Sequence, residues 1–234
     1  GALRNPRHLA AVLESAGVEH ELLSAADARA RFAGIAFDTE VLWHPGAGVI
    51  DAERSVLAMV AQAKAHGARI ETNWPVASIE PAGSGYQVNS ADGRSYIGSR
   101  IVVAAGGWLP GLLGNLPLPA GFAGSVPTMD VYQENAYHFP YLDQDPEARL
   151  AWPTYIHKDP AFRSYGLPGG RDAGFRGQKV AEYMGGRRMD SAAAQDGRID
   201  PANRERVIDY VKRYLPGLDP TPYAETTCIF TSTP

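Results

Sequence analysis

The side chains with the clearest potential for chemistry are a single cysteine and a lysine on predicted strands. Cys228 is the only cysteine in 234 residues, which excludes an internal disulfide and a cysteine-rich zinc site. A thiolate at this position requires a partly accessible, electropositive setting, although a lone cysteine on an apolar strand is also typical of a small buried hydrophobe. Lys179 shares a strand face with Ala181 and Tyr183, and an exposed strand lysine is the commoner arrangement. The six histidines lack metal-ligand spacing, so no metal site is predicted.

A second feature is the apolar run over residues 101–105, which is followed by Gly106, Gly107 and Trp108. Its β-branched start predicts a strand buried on both faces. In open α/β sheets, ligands bind beyond the carboxyl ends of such strands, where glycines let the backbone approach a phosphate or ring closely. The same pattern is also typical of a buried strand that ends in an ordinary turn.

Composition and charge argue against two classes of partner. Hydrophobic residues make up 44% of the chain and charged residues 21%, and no apolar run approaches the length of a membrane span. The formal net charge is -4, and the longest basic run is the pair Arg187 and Arg188. The sequence therefore predicts a cytoplasmic protein with no nucleic-acid or membrane partner.

Apolar periodicity and capping residues indicate the secondary structure. Helices are predicted over residues 5–16, 24–32, 51–67 and 201–215, with N-caps at Asn5, Ser24, Asp51 and Asp200. Strands are predicted at residues 41–43, 69–72, 76–79, 86–90, 96–97, 101–105, 129–133, 136–139, 153–157, 163–167, 178–184 and 225–231. Residues 49–108 are expected to form parallel strands around a small antiparallel excursion, whereas the later strands are expected to be mostly antiparallel.

One motif of nucleotide-binding folds does not occur in the sequence. The Gly-x-Gly-x-x-Gly turn, which places a pyrophosphate on a helix N-terminus, is absent from the chain. The chain also opens at Gly1 without a methionine and stops at Pro234, directly after a predicted strand. These features predict a part of a longer protein.

Six segments carry a family resemblance through their order and spacing. They are Gly48-Val49-Ile50-Asp51, Val76-Ala77-Ser78-Ile79-Glu80, Ala104-Ala105-Gly106-Gly107-Trp108, Tyr165-Gly166-Leu167-Pro168, Lys179-Val180-Ala181 and Cys228-Ile229-Phe230-Thr231. In these segments the chain resembles the flavin-dependent amine oxidases of the D-amino-acid oxidase superfamily, specifically the sarcosine oxidase and N-methylamino-acid oxidase branch. The resemblance extends from about residue 20 to the end of the chain.

The resemblance implies catalytic roles for three residues and a covalent one for a fourth. It places Lys179 above the flavin, where a fixed positive charge stabilises superoxide, and Tyr165 against the substrate amine and carboxylate. As an alternative, Tyr165 only fills the end of a strand. Tyr183 stands where the nearest relatives carry a histidine, which argues against sarcosine itself as the substrate. Cys228 occupies the position of a cysteine joined by a thioether to the flavin 8α-methyl group.

The resemblance also implies a set of residues that bind FAD. Val76 is expected beside the adenine, while Gly106, Gly107 and Trp108 are expected at the ribose and diphosphate, together with Ala105. As an alternative, Trp108 is a core aromatic residue. The implied partners are a small-molecule amine or amino acid and O2.

The expected fold is a mixed α+β and α/β architecture, in which the second half of a two-dinucleotide-fold FAD domain is interleaved with an antiparallel-sheet substrate domain. The substrate domain is expected over residues 1–44 and 121–227, a partial FAD-binding domain over 45–120, and its continuation over 228–234. The implied reaction oxidises a secondary or primary amine to an imine and reduces O2 to H2O2, and the chain by itself is expected to be inactive. Two alternatives stay open: a flavoprotein dehydrogenase with a non-oxygen acceptor, and a non-catalytic binding module.

Overall fold

A computed structural model describes residues 5–233, so residues 1–4 and 234 of the first and last predicted segments lie outside the described residues. The elements follow in the order α1 (Pro6–Ser15), β1 (Glu21–Leu23), α2 (Ala25–Arg31), β2 (Val41–Trp43), α3 (Ala52–Ala65), β3 (Val76–Ala82), β4 (Gly85–Ser90), β5 (Ser95–Gly98), α4 (Leu109–Leu112), β6 (Asp130–Pro140), α5 (Pro146–Leu150), β7 (Tyr155–Lys158), β8 (Arg163–Pro168), β9 (Gly177–Glu182), β10 (Arg187–Met189), α6 (Pro201–Tyr214) and β11 (Ala224–Ser232). Two compact units divide the described chain: unit 1 contains residues 5–50, 134–186 and 197–228, and unit 2 contains residues 51–133, 187–196 and 229–233.

Local sequence signals set the helix boundaries. The four predicted N-caps are confirmed, because the side chains of Asn5, Ser24, Asp51 and Asp200 each accept a hydrogen bond from a backbone N–H in the first turn. Each bond satisfies one of the donors that a helix start leaves unpaired, and each stabilises its helix by about 1 kcal/mol. None of the helices within residues 5–233 combines the length and apolar character needed to cross a membrane.

The main sheet of unit 1 packs one face against α6. Its strands follow the order β6-β9-β8-β7, and each neighbouring pair is antiparallel. Side chains on one face of the sheet form the core with one side of α6, and this core contains the buried residues Tyr137, Phe139, Val180, Val207, Val211 and Leu215. Because side chains alternate along a strand, the residues between them point to the other face of the sheet.

Unit 2 contains α3 and an antiparallel sheet of three strands in the order β3-β4-β5. The hairpin predicted at Asp92 and Gly93 is confirmed, and Gly93 has a positive φ of 87°, which glycine adopts without steric cost. The three residues of β10 pair with Val131, Tyr132 and Gln133.

The predicted parallel strands of unit 2 are wrong. Residues 69–72 and 101–105 form no strand, and the side chain of Val102 is 91% exposed. A parallel strand is stable only when neighbouring strands pair with it and other elements cover its faces, and no described strand pairs with these residues. Helix α3 likewise has no buried residue, and Val56, Leu57 and Met59 are exposed.

A further difference concerns β6. The sequence predicts two strands, at residues 129–133 and 136–139, with Glu134 and Asn135 between them. In the structure one strand runs from Asp130 to Pro140 through both polar residues, and both are buried. The polar pair therefore lies in the middle of a strand.

Candidate functional site

The face of the unit 1 sheet that points away from α6 carries the predicted catalytic residues. In the register of the sheet, Lys179 of β9 lies opposite His138 of β6 on one side and Leu167 of β8 on the other. Tyr165 of β8 lies opposite Ala181 of β9. Residues directly opposite each other in antiparallel strands share a face, so Lys179 and Tyr165 lie on the same surface.

Cys228 of β11 belongs to the same group of side chains. The thiol is free and partly exposed. Burial raises its pKa, the positive charge of Lys179 lowers it, and the carboxyl group of Glu134 raises it. Lys179 thus favours the thiolate, but burial has the larger effect on the pKa of Cys228, so the thiol stays protonated at neutral pH.

Tyr165 is held in place by its neighbour in the sequence. A Cβ at Gly166 would lie 2.3 Å from the ring of Tyr155, which packs over this glycine from β7. The glycine is therefore required by packing on the core face of the sheet, and this fixes the strand that carries Tyr165. Burial raises the pKa of Tyr165 to about 12, with further contributions from Cys228 and Glu134, so its hydroxyl group is neutral and can donate a hydrogen bond.

Tyr183 lies just beyond the end of β9, and its side chain is 40% exposed. Its backbone N–H donates a hydrogen bond to the carbonyl oxygen of Arg163 at 2.7 Å, which extends the pairing of β9 with β8 by one residue. The ring is thus anchored at the margin of the face that carries Lys179.

Glu134 is a residue of this face that the sequence reasoning missed. It is 4% exposed, and alternation along β6 places it on the same face as His138 and Lys179. Burial raises the pKa of its carboxyl group to about 7; the backbone amides of Gly185 and Gly186 lower that pKa, and the carboxylate of Glu182 raises it. The available signal was an acidic residue between two apolar runs of strand character.

The predicted cofactor-binding residues lie in unit 2. Val76 begins β3 and is 40% exposed, and Ala105 precedes a short 3-10 helix formed by Gly106, Gly107 and Trp108. Trp108 is 49% exposed, which does not favour the alternative of a core aromatic residue.

The two glycines of this segment differ in their surroundings. Gly106 has a positive φ of 49°, and an added Cβ would meet no described atom within 4 Å, so its backbone is open to a ligand. At Gly107 an added Cβ would lie 2.9 Å from Oγ1 of Thr231 and 3.1 Å from a methyl group of Ile229. Gly107 is therefore required by packing within unit 2.

Comparison with known families gives the decisive observation. The sequence profile of the family described as FAD dependent oxidoreductase matches residues 3–233. The chain belongs to this family. FAD is accordingly the cofactor on which members of this oxidoreductase family depend.

Curated relatives of this chain include a sarcosine oxidase and an N-methyl-L-tryptophan oxidase. A monomeric sarcosine oxidase of Streptomyces avermitilis is 27% identical over 218 residues, which cover 92% of this chain and 54% of the relative. An N-methyl-L-tryptophan oxidase of Yersinia pestis is 28% identical over 180 residues, which cover 76% of this chain and 44% of the relative. The chain thus spans about half the length of the curated relatives that it matches.

Solved structures confirm the expected fold. NikD, an unusual amino acid oxidase essential for nikkomycin biosynthesis, superposes in its open form with a TM-score of 0.77 at 22% identity, covering 97% of this chain and 56% of NikD. Glycine oxidase from Geobacillus kaustophilus gives a TM-score of 0.73 at 17% identity, covering 97% of this chain and 55% of that enzyme. The mixed architecture with antiparallel sheets is therefore confirmed. The resemblance to the sarcosine oxidase branch is confirmed by the family profile and the curated relatives.

Proposed function

We propose that this oxidoreductase is the substrate-binding part, with a portion of the FAD-binding part, of an amine oxidase. The reaction removes two electrons and two protons from the CH–NH unit of a secondary or primary amino acid or amine, which gives an imine, and O2 takes up two electrons and two protons to give H2O2. The observation that carries the proposal is the shared sheet face of Tyr165 and Lys179, in a family that depends on FAD.

The fit of the chain to a flavin is supported by two features of its surface. In unit 2, the backbone at Gly106 is open to a close approach by the cofactor, and Val76, Ala105 and Trp108 are the other residues of unit 2 that we propose to contact it. In unit 1, the half-buried thiol of Cys228 is the only sulfur nucleophile of the sequence. When bound, FAD would supply the two-electron redox chemistry that no amino-acid side chain provides.

The residues of the chain then have distinct tasks. The neutral hydroxyl group of Tyr165 donates a hydrogen bond to the substrate carboxylate, and its ring limits where the amine can lie. Lys179 presents a fixed positive charge that stabilises negative charge developing on oxygen. Tyr183, at the margin of the same face, contacts the substrate where relatives of the sarcosine oxidase branch use a histidine. Cys228 is the proposed covalent tether.

Flavin content and oxygen uptake test this function. We expect the purified protein to carry flavin. An amine should bleach the absorbance of this flavin in the absence of air, and in air the protein should release one H2O2 per O2 consumed. Lys179→Met should slow reoxidation by O2 by about 100-fold while leaving bleaching by the substrate unchanged, because only the oxygen step needs the positive charge. Lys158, an exposed residue of β7, provides the control, and Lys158→Met should leave the rates of bleaching and reoxidation unchanged.

Three results would contradict parts of the proposal. Flavin that is bleached by amines but not reoxidised by O2 would establish the dehydrogenase instead. Protein without flavin would leave a non-catalytic binding module. An intact mass without added FAD, or with FAD retained in Cys228→Ala, would refute the covalent tether at Cys228.

A further inference from the structure

Glu134 is a buried carboxyl group with no cationic partner among the described residues. Both of its carboxylate oxygens are shielded from solvent, and neither has a hydrogen-bond partner among the described residues. No described lysine, arginine or histidine forms an ion pair with it. The backbone amides of Gly185 and Gly186 lower the pKa of the carboxyl group as hydrogen-bond donors would, but they carry no net charge to balance a carboxylate. Burial of an ionised carboxylate costs several kcal/mol unless a cation or donors compensate it.

Two polar neighbours of Glu134 have hydrogen-bond partners that connect them to α6 or to its N-cap. The side chain of Asn135, the next residue, accepts a hydrogen bond from the backbone N–H of Asp200 at 3.3 Å. Glu182 accepts hydrogen bonds from Asn203 at 2.7 Å and from Arg206 at 2.8 Å. These hydrogen bonds connect the sheet to α6 and its N-cap. The side chain of Glu134 lies on the opposite face of the sheet and makes no such connection. A structural role therefore accounts for its neighbours and not for Glu134.

The groups that interact electrostatically with Glu134 or with its neighbours lie on three other strands. Glu182 of β9 repels it, and its own negative charge raises the pKa values of Tyr165 on β8 and Cys228 on β11. Lys179 is the cation of this face, and it acts on Cys228 rather than pairing with Glu134. The carboxyl group thus lies within electrostatic reach of the proposed substrate-contacting tyrosine, with no positive charge of its own.

We propose that Glu134 recognises a protonated nitrogen of the substrate and thereby selects cationic amino compounds. This inference rests on the proposed function, since it assigns the substrate class of the same site. The carboxylate accepts N–H bonds from the cation, and such charge-assisted bonds are about twice as strong as neutral ones. The nitrogen is either the reacting ammonium or a second ammonium on the substrate side chain, and the two sources give different results with matched substrates.

A titration of the wild-type protein tests recognition without any turnover. The carboxyl carbon of Glu134 is followed by NMR in ¹³C-labelled protein, and its signal is assigned through the backbone and side-chain resonances of the wild-type protein. We expect methylguanidinium, an N–H cation, to lower the pKa of Glu134 by about one pH unit or more, because an opposite charge favours ionisation. N-methylurea, the uncharged isostere, should leave the titration unchanged. An unchanged titration with methylguanidinium would overturn the proposal.

Substrate kinetics then identify the source of the nitrogen. L-lysine and L-norleucine have side chains of similar shape and differ in one ammonium group. If Glu134 binds the side-chain ammonium, Glu134→Gln lowers kcat/KM for lysine by about 10- to 100-fold and leaves norleucine unchanged. If it binds the reacting ammonium, both substrates lose the same factor. Glu225→Gln removes an equal charge from an exposed residue that pairs with Arg204, and it should change neither substrate.

The outcomes separate this inference from the proposed function. One outcome is that lysine and norleucine each bleach the flavin at the same rate in wild type and in Glu134→Gln. That result would refute recognition by Glu134 and leave the proposed oxidase function intact. Methylguanidinium binding at Glu134 in a protein that no amine reduces would refute the oxidase and leave a cation-binding site at Glu134.

Discussion

The pH dependence of stability should carry a specific contribution from Glu134. Its pKa rises from 4.5, the ordinary value, to about 7 in the folded chain, mainly because of burial. Between these two pH values the folded protein holds a proton that the unfolded chain has released. Stability therefore falls as pH rises through this window, and the contribution is complete below pH 4.5 and lost above about pH 7.

The size of the effect follows from the two pKa values. Each pH unit between them corresponds to about 1.4 kcal/mol, so the full window corresponds to about 3 kcal/mol. Glutamine has the same shape and cannot ionise, so Glu134→Gln removes this slope. Relative to wild type, the variant should gain about 3 kcal/mol in unfolding free energy between pH 4.5 and pH 8. In thermal unfolding the relative gain is about 6–12 °C for a chain of this length.

Urea unfolding at half-unit steps between pH 4.5 and pH 8 measures the difference between the two proteins. Taking the difference cancels the titration of every group that the variant shares with wild type. Glu225→Gln is the matched control, since its carboxylate is exposed and paired with Arg204, and its difference curve should be nearly flat. If the Glu134→Gln difference changed by less than about 1 kcal/mol, the buried, unpaired state of this carboxyl group would be refuted.

Three further predictions concern neighbouring residues. Gly166→Ala should destabilise the protein by about 1–3 kcal/mol, because the ring of Tyr155 occupies the space of the new methyl group, and Tyr155→Leu in the same chain should recover part of the loss in urea unfolding. Leu215→Ala should cost about 2–5 kcal/mol, since Leu215 is fully buried against the sheet of unit 1, and a loss below 1 kcal/mol would contradict that packing. The rate at which iodoacetamide alkylates Cys228 should reach half of its maximum above pH 9, and Lys179→Met should move this pH higher still. An unchanged pH in Lys179→Met would contradict the influence of Lys179 on the thiol.

Local signals predicted much of the secondary structure. The N-caps of four helices and the hairpin at Asp92 and Gly93 depend on side chains within a few residues, so the sequence contains all the information they need. The strands that carry Tyr165 and Lys179 were predicted near their observed positions, whereas the pairing of the two strands is a finding of the structure.

Features that depend on distant partners were not predictable in this way. The apolar run at 101–105 has strand character, but a strand forms only when another strand pairs with it. Glu134 fell between two predicted strands, and carboxylate side chains are depleted in strands, so the sequence alone did not predict that one strand runs through it. Its burial on the same face as Lys179 depends on the packing of β6 in the sheet, which no local pattern encodes.

The unpaired run at residues 101–105 has a consequence for the behaviour of the chain in concentrated solution. Its N–H and C=O groups form no strand pairing, its side chains are uncharged and partly β-branched, and Val102 projects almost entirely into water. Segments of this kind act as templates for the same segment of another copy, and stacked copies grow into cross-β aggregates. A lysine in place of Val102 would act as a gatekeeper there, because stacking identical strands would also stack identical charges.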